Sequence, residues 1–224
     1  MKFLKKFLDK FGSSINSEKP DNTDALYSLT SASGSFEEKL GFKFSGSSAL
    51  CIKIIDGLIF ENTIKDCTDL LNVSKKEFDF DYNILTDSYG YLWIIITGRT
   101  SLISSEIISN VVTALISIGK ILEENGFSNQ ILSAVFKYEF SNHLFSGIGM
   151  DRKYGYHETN SYNQVKNLIY LIYNYKTKNF YPYLPLDMYK RDTTKELQTV
   201  SILKNFISVE PDVTKWFPIK DIPF

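Results

Sequence analysis

Apolar and polar positions recur with two different periods along this chain, and each change of period predicts an element. At the N-terminus Phe3, Leu4, Phe7, Leu8 and Phe11 fall at i, i+1, i+4, i+5 and i+8, one face of a helix, flanked by Lys2, Lys5, Lys6 and Lys10. Residues 12–22 are polar with Gly12 and Pro20, the composition of a flexible linker. Thr23 caps a short helix over 23–30 with Ala25, Leu26 and Leu29 apolar; Ser35-Phe36-Glu37-Glu38 matches a capping box of a second helix, and Gly41 lies where that helix would stop. A strand is predicted over 49–55, closed by the Asp56-Gly57 turn signal, with 58–60 returning as a second short strand. Ile64, Cys67, Leu70 and Leu71 then give 62–72 helical spacing.

Phe78, Phe80, Tyr82 and Ile84 alternate with Asp79, Asp81 and Asn83, which predicts a half-buried strand. Asp87-Ser88-Tyr89-Gly90 supplies a turn, and 91–97 is an apolar run without alternation, the pattern of a central strand. A long helix runs from Ser104 or Ser105 to about Asn125 on the face of Ile107, Ile108, Val111, Val112, Leu115, Ile116, Gly119 and Leu122. Its Asn110, Thr113, Ser117 and Lys120 mark a core helix and not a membrane span. Residues 131–140 form a strand, and 141–164, rich in Gly, Asn, Ser and Tyr without a period, form a surface excursion. A hairpin of 166–175 and 180–184, a last helix over 191–206 and a Pro-punctuated aromatic tail packed in extended form complete the chain. This order predicts an α+β fold: a mainly antiparallel sheet with a long central helix and a C-terminal helix packed on it, preceded by short N-terminal helices. Residues 1–22 are expected as amphipathic helix and linker, and 23–224 as one domain.

Charge changes the picture at one end. The 224 residues carry 25 basic and 26 acidic side chains, a net charge of −1. That balance argues against nucleic acid, whose binding requires a basic excess to displace counterions. The first eleven residues hold four Lys against the single Asp9, so the remainder is more acidic than the total. A Lys- and Phe-rich helix of this kind suits an anionic lipid surface or a partner, or docks on the protein's own core. It lacks the apolar core of a signal peptide and is too short to be stable free in water. With 43% hydrophobic and 15% aromatic residues the chain is not a disordered acidic protein. Cys51 and Cys67 make no CxxC pair and are expected as buried thiols, consistent with a reducing, cytoplasmic setting.

Candidate chemistry is sparse. His143 and His157 lie in the excursion without an HxxxH or HExxH spacing, so no metal site is expected. No Ser or Cys nucleophile has a companion base in a known arrangement, and the Ser-Gly-Ile-Gly stretch at 146–149 lacks the Lys-Ser/Thr ending of a phosphate loop. Asp79 and Asp81 share a strand face, which a solvated surface explains as well as a carboxylate pair does. Tyr170, Tyr173, Tyr175, Phe180, Tyr181, Tyr183 and Tyr189 cluster either as cross-strand packing or as a recognition groove for an apolar peptide. No catalytic residue and no cofactor emerges. The alternative is a small-molecule sensor or enzyme with a pocket formed by Asp87–Tyr91 and Arg191–Asp192.

At Asp87-Ser88-Tyr89-Gly90-Tyr91-Leu92-Trp93 the chain resembles the PspA-associated protein B (PspAB) family of archaea and actinobacteria. Further blocks agree in order: Asp24-Ala-Leu-Tyr-Ser-Leu29, Leu40-Gly-Phe42 with Gly46, Leu122 to Phe127, Gln130 to Phe136, and Tyr175-Lys176 with Phe180-Tyr181-Pro182 and Pro185. Arg191-Asp192 with Glu196-Leu197, then Val209-Glu210-Pro211-Asp212 with Trp216-Phe217-Pro218, close the series. The chain departs from the family in its longer 141–164 segment and its Lys- and Phe-rich start. The resemblance implies a non-enzymatic accessory or adaptor protein of a membrane-stress system, cytoplasmic and peripheral at the inner face of the cell membrane. Its implied partners are PspA, an ESCRT-III-like membrane-remodelling protein, and an HtpX-type membrane protease. The blocks themselves suggest roles of shape: Gly90 permits a turn, Trp93 fills a strand face, and Trp216 with Phe217, fixed by Pro211 and Pro218, clamps the tail to the body.

Overall fold

The structure, a computed structural model, describes residues 22–99, 104–140, 168–187, 190–219 and 221–224. The N-terminal amphipathic segment with its linker, the excursion with His143 and His157, and Tyr189 lie outside the described residues. Helix α1 (Asn22–Leu40) leads into strand β1 (Phe42–Lys53), helix α2 (Leu58–Ser74), strands β2 (Phe80–Thr86) and β3 (Tyr91–Gly98) and helix α3 (Ser104–Glu124). Strands β4 (Ile131–Phe140), β5 (Leu168–Asn174) and β6 (Asn179–Tyr183) follow, then helix α4 (Thr193–Leu203) and a 3-10 turn at Val213–Lys215. The six strands form one antiparallel sheet in the order β2-β3-β1-β4-β5-β6, as the α+β reading expected.

Three local expectations are corrected. The two short N-terminal helices are one, α1, because Ala32, Ser33 and Phe36 carry the buried stripe straight through the Ser35 capping box. The helix ends at Gly41, whose φ of 67° reverses the chain directly into β1. Residues 58–60 open α2 and are no strand; Leu58 and Ile59 are exposed on its first turn while Phe60 is buried. β1 begins seven residues earlier than expected, since Phe42 and Phe44 continue its buried face across a bulge near Gly46.

The sheet separates two apolar layers. On one side Leu50, Ile94, Ile96, Phe136 and Leu171 meet Leu26, Leu29 and Phe36 of α1, Cys67 and Leu71 of α2, and Ile108, Val111, Val112 and Leu115 of α3. By length and composition α3 alone among the described helices could cross a membrane, but most of it is buried against the sheet. It approaches so closely that a Cβ at Gly98 would lie 2.5 Å from Ile107 Cγ2. On the other side Cys51, Trp93, Ile95, Val135, Tyr170, Ile172, Tyr181 and Tyr183 are covered by the C-terminal tail through Trp216, Ile219, Ile222 and Phe224. Helix α4 straddles the β6 edge, with Leu203 in the first layer and Val200 against the second. The Tyr and Phe cluster of β5 and β6 is thus divided by strand alternation: Tyr173 and Phe180 face the helices, Tyr170, Tyr181 and Tyr183 the tail.

Candidate functional site

The tail does not cover its side of the sheet completely. At the end of the sheet where β1 finishes and β4 begins, an open groove of about 1010 Å³ remains, mostly apolar in its lining. Its floor is Cys51, Trp93, Ser133 and Tyr181, one residue from each of four strands. The β2–β3 turn supplies one wall through Asp87, Tyr89 and Tyr91, and the β5–β6 turn the opposite wall through Lys176 and Lys178. Phe217, Pro218 and Ile219 of the tail form the roof, and Asn22 and Glu123 close the far end. Tyr89 and Phe217, both more than half exposed, are its lips. Large exposed aromatics beside a concave apolar surface are the composition of a recognition site.

The wall at Asp87 is fixed by hydrogen bonds. Asp87 Oδ1 accepts the backbone N–H groups of Tyr89 and Tyr91, each at 2.9 Å, and Oδ2 accepts Trp93 Nε1–H at 2.8 Å. Gly90, at φ 80°, donates its N–H to the Asp87 carbonyl at 3.1 Å and closes the turn in a conformation that favours glycine. Asp87 is therefore committed to holding the hairpin and the buried Trp93 ring. Cys51 on the floor is no reactive thiol: burial, with the nearby Asp87 charge adding to it, pushes it up to about 12.

Arg191 and Asp192, which the alternative reading joined to Asp87 in one pocket, do not line the groove. Arg191 anchors the tail. Its Nε donates to both oxygens of Glu196 at 2.9 and 2.8 Å, Nη1 to the Trp216 carbonyl at 2.7 Å, and Nη2 to the Pro182 carbonyl at 3.1 Å. The guanidinium lies 5.1 Å from the Tyr183 ring centre. Glu196, fully buried, also accepts the Leu184 N–H at 2.7 Å. Burial pushes the Glu196 carboxyl above its ordinary range, against the pull of Arg191 and the Leu184 N–H. Asp192 caps α4 by accepting the Lys195 N–H at 3.0 Å.

The rest of the tail is held in the same manner. Phe180 forms a parallel bridge with Val209: its N–H donates to the Ser208 carbonyl and its carbonyl accepts the Glu210 N–H, each at 2.8 Å. Trp216 stacks on Tyr181 with an interplanar angle of 12° and donates Nε1–H to the Glu210 carbonyl at 2.9 Å. Asp212, beyond Pro211, accepts both the N–H and the hydroxyl of Thr214, which starts the 3-10 turn and holds its own carboxyl below the usual range. The clamp expected of Trp216 and Phe217 is therefore Trp216 alone. Phe217 gives its carbonyl to the Tyr181 hydroxyl at 3.0 Å and turns its ring outward over the groove.

The family model of PspA associated protein B matches residues 1–224. The chain belongs to the PspA associated protein B family. No curated protein and no solved structure matches it. In this family member the motif residues singled out from Asp87 to Trp93 and from Phe180 onward divide into two sets. Asp87, Tyr89, Tyr91, Trp93, Tyr181, Phe217 and Pro218 line the groove, with Gly90 in its turn and Ser88 exposed beside it. Phe180, Pro182, Arg191, Asp192, Glu210, Asp212 and Trp216 build the anchor that carries the groove's roof. Ser133 and Lys176 come from the 130–136 and 175–176 blocks, whereas Asn22, Cys51 and Lys178 stand outside the blocks; strand pairing brings Cys51 in, opposite Trp93 on one side and Ser133 on the other.

Two other sequence candidates resolve as surface features. Asp79 and Asp81 both approach Arg99, Asp81 through two hydrogen bonds of 3.1 Å, in an exposed cluster. Among the described residues no three His, Cys, Asp or Glu side chains gather where they could hold a metal.

Proposed function

We propose that this family member is a non-enzymatic adaptor of a PspA-type envelope-stress system, working at the cytoplasmic membrane face. In this reading the groove seats an apolar segment of a protein partner, a PspA-like protein or an HtpX-type membrane protease. The N-terminal Lys/Phe segment touches anionic lipid or the partner. Family membership across the whole chain supports the link to PspA. The observation that carries the docking role is the groove itself, with Tyr89 and Phe217 presented at its lips by elements whose polar groups are spent on holding them there. Aromatic side chains exposed on such a fixed frame lose little freedom on binding, which suits them to anchor a partner.

Affinity capture from membranes containing both candidate partners tests the reading. The wild-type protein is expected to retain one of them, and the double variant Tyr89→Ser, Phe217→Ser to lose at least ten-fold of the captured amount. Equal capture by both proteins removes the groove from the function. Flotation on anionic vesicles, with and without residues 1–12, tests the membrane part; equal flotation of the two removes it.

A further inference from the structure

We propose that the groove has an occupant in the same chain: the N-terminal segment, residues 1–12, docks across its floor in cis. The inference rests on the reading of the groove as a docking surface and names what fills it when no partner does.

Entry, reach and chemistry converge on that segment. Asn22, where the described chain begins, lines the groove, its side chain fixed between Glu123, which accepts its Nδ2–H at 3.0 Å, and the Tyr173 hydroxyl, which donates to its Oδ1 at 2.9 Å. Residues 1–21 therefore join the body at the groove's own end. As a helix, eleven residues measure about 16 Å. The floor spans the strands from β3 to β6, four spacings, or about 19 Å. The ten residues between Phe11 and Asn22 can reach about 33 Å, enough to lay that helix anywhere along the floor. Its face of Phe3, Leu4, Phe7, Leu8 and Phe11 would meet Trp93 and Tyr181 between the lips of Tyr89 and Phe217, leaving the Lys residues toward water. Because the rim carries carboxylates and ammonium groups alike, apolar contact and not charge drives the docking.

The segment between β4 and β5 is the weaker candidate. It leaves from Phe140 and returns at Leu168, which pairs with Glu139. Those positions lie a ten-residue strand away from the floor residues near Ile131, about 33 Å.

The test uses the full chain. A fluorescent peptide of residues 1–12 is titrated into wild-type protein and into the triple variant Phe3→Asp, Phe7→Asp, Phe11→Asp, whose own segment cannot dock. The triple variant is expected to bind the peptide at least ten-fold more tightly than the wild type, independently of protein concentration. Adding Tyr89→Asp and Phe217→Asp, both exposed positions, is expected to abolish that binding while circular dichroism stays unchanged. Equal binding by wild type and triple variant, or binding indifferent to the lip substitutions, overturns the proposal. So does a difference that appears only at high protein concentration, which assigns the groove to a second copy. Partner capture by the wild-type protein separates the two ideas: capture without any peptide binding by the triple variant overturns cis docking and leaves the adaptor reading standing, whereas peptide binding at the lips with no capture by the wild type does the reverse.

Discussion

The two faces of the sheet are closed by different means. The helix side is sealed by three helices whose aliphatic stripes meet a continuous row of strand side chains. The tail side is sealed by an irregular segment that has one buried tryptophan, a backbone bridge to β6 and the Arg191–Glu196 pair to hold it. Helices bury long stripes without needing specific anchors, since their backbone groups are satisfied internally. An extended tail must find partners for every buried backbone group, so it closes only where anchors exist, and the groove is what it leaves open. The comparison assigns a continuous apolar seal to one face, and closure by a few anchors, with recognition beside them, to the other.

That assignment is broken most directly by one large substitution on each side. Phe136→Ala opens a cavity in the helix-side core and is expected to cost about 3–5 kcal/mol in urea unfolding. Arg191→Ala leaves Glu196 buried without its counter-charge and should cost about 3–5 kcal/mol as well. Their signatures differ. Hydrogen exchange should rise throughout the sheet in Phe136→Ala, but first in residues 209–219 in Arg191→Ala, with Glu196→Gln in the Arg191→Ala background restoring part of the loss. If exchange rises in the same pattern in both variants, the two faces are one cooperative unit and the contrast fails.

Asp87→Ala sharpens the comparison at the groove wall. It removes the acceptor of three hydrogen bonds and leaves Trp93 Nε1 buried and unpaired, an expected cost of about 1–3 kcal/mol. Asp87→Asn, which keeps one acceptor oxygen, should fall between. Both should reduce peptide or partner binding more than Phe136→Ala does, because the defect sits in the wall; binding weakened equally by all three would place recognition elsewhere. On the opposite face Gly98→Ala drives a Cβ into Ile107 Cγ2 and should cost about 1–3 kcal/mol. Combined with Ile107→Ala the loss should be clearly less than additive, read by a double-mutant cycle from thermal melts.

Legibility follows the same division. The helix-side elements were readable because α3 shows its helical period and strand 91–97 its unbroken apolar run in the sequence itself. Where the period was broken by a local signal, at the Ser35 capping box and at 58–60, the signal misled, because the buried stripe continues through the first and the helix begins at the second. The tail side was readable only as family blocks. Arg191 and Glu210 carry no periodic signal, and their partners lie at Trp216 and Pro182, which no local rule connects. The groove was half visible, through Asp87 to Trp93 and the Tyr cluster; its other half needs the register that sets Cys51 between Trp93 and Ser133.

The thiols provide the finest test, because one lies under each face. Cys51 faces the groove side and Cys67 the helix side, and burial pushes both up to about 12, with Asp87 adding to the first and Asp66 to the second. Their folded pKa lies above the ordinary thiol value, so the neutral form is favoured in the folded state. The resulting stability is present below about pH 9 and is lost as pH rises toward 12. Buried Tyr170, likewise pushed up to about 12, adds to that alkaline loss above pH 10. Thermal melts from pH 7 to 11 should therefore hold level to about pH 9 and decline beyond it. At pH 8 both thiols should alkylate slowly, but Cys51 before Cys67, since the tail needs only to lift where the helices must unfold. Arg191→Ala should accelerate Cys51 alkylation and leave Cys67 almost unchanged, by mass spectrometry of the two peptides. Equal acceleration would mean that the tail and the helices open together.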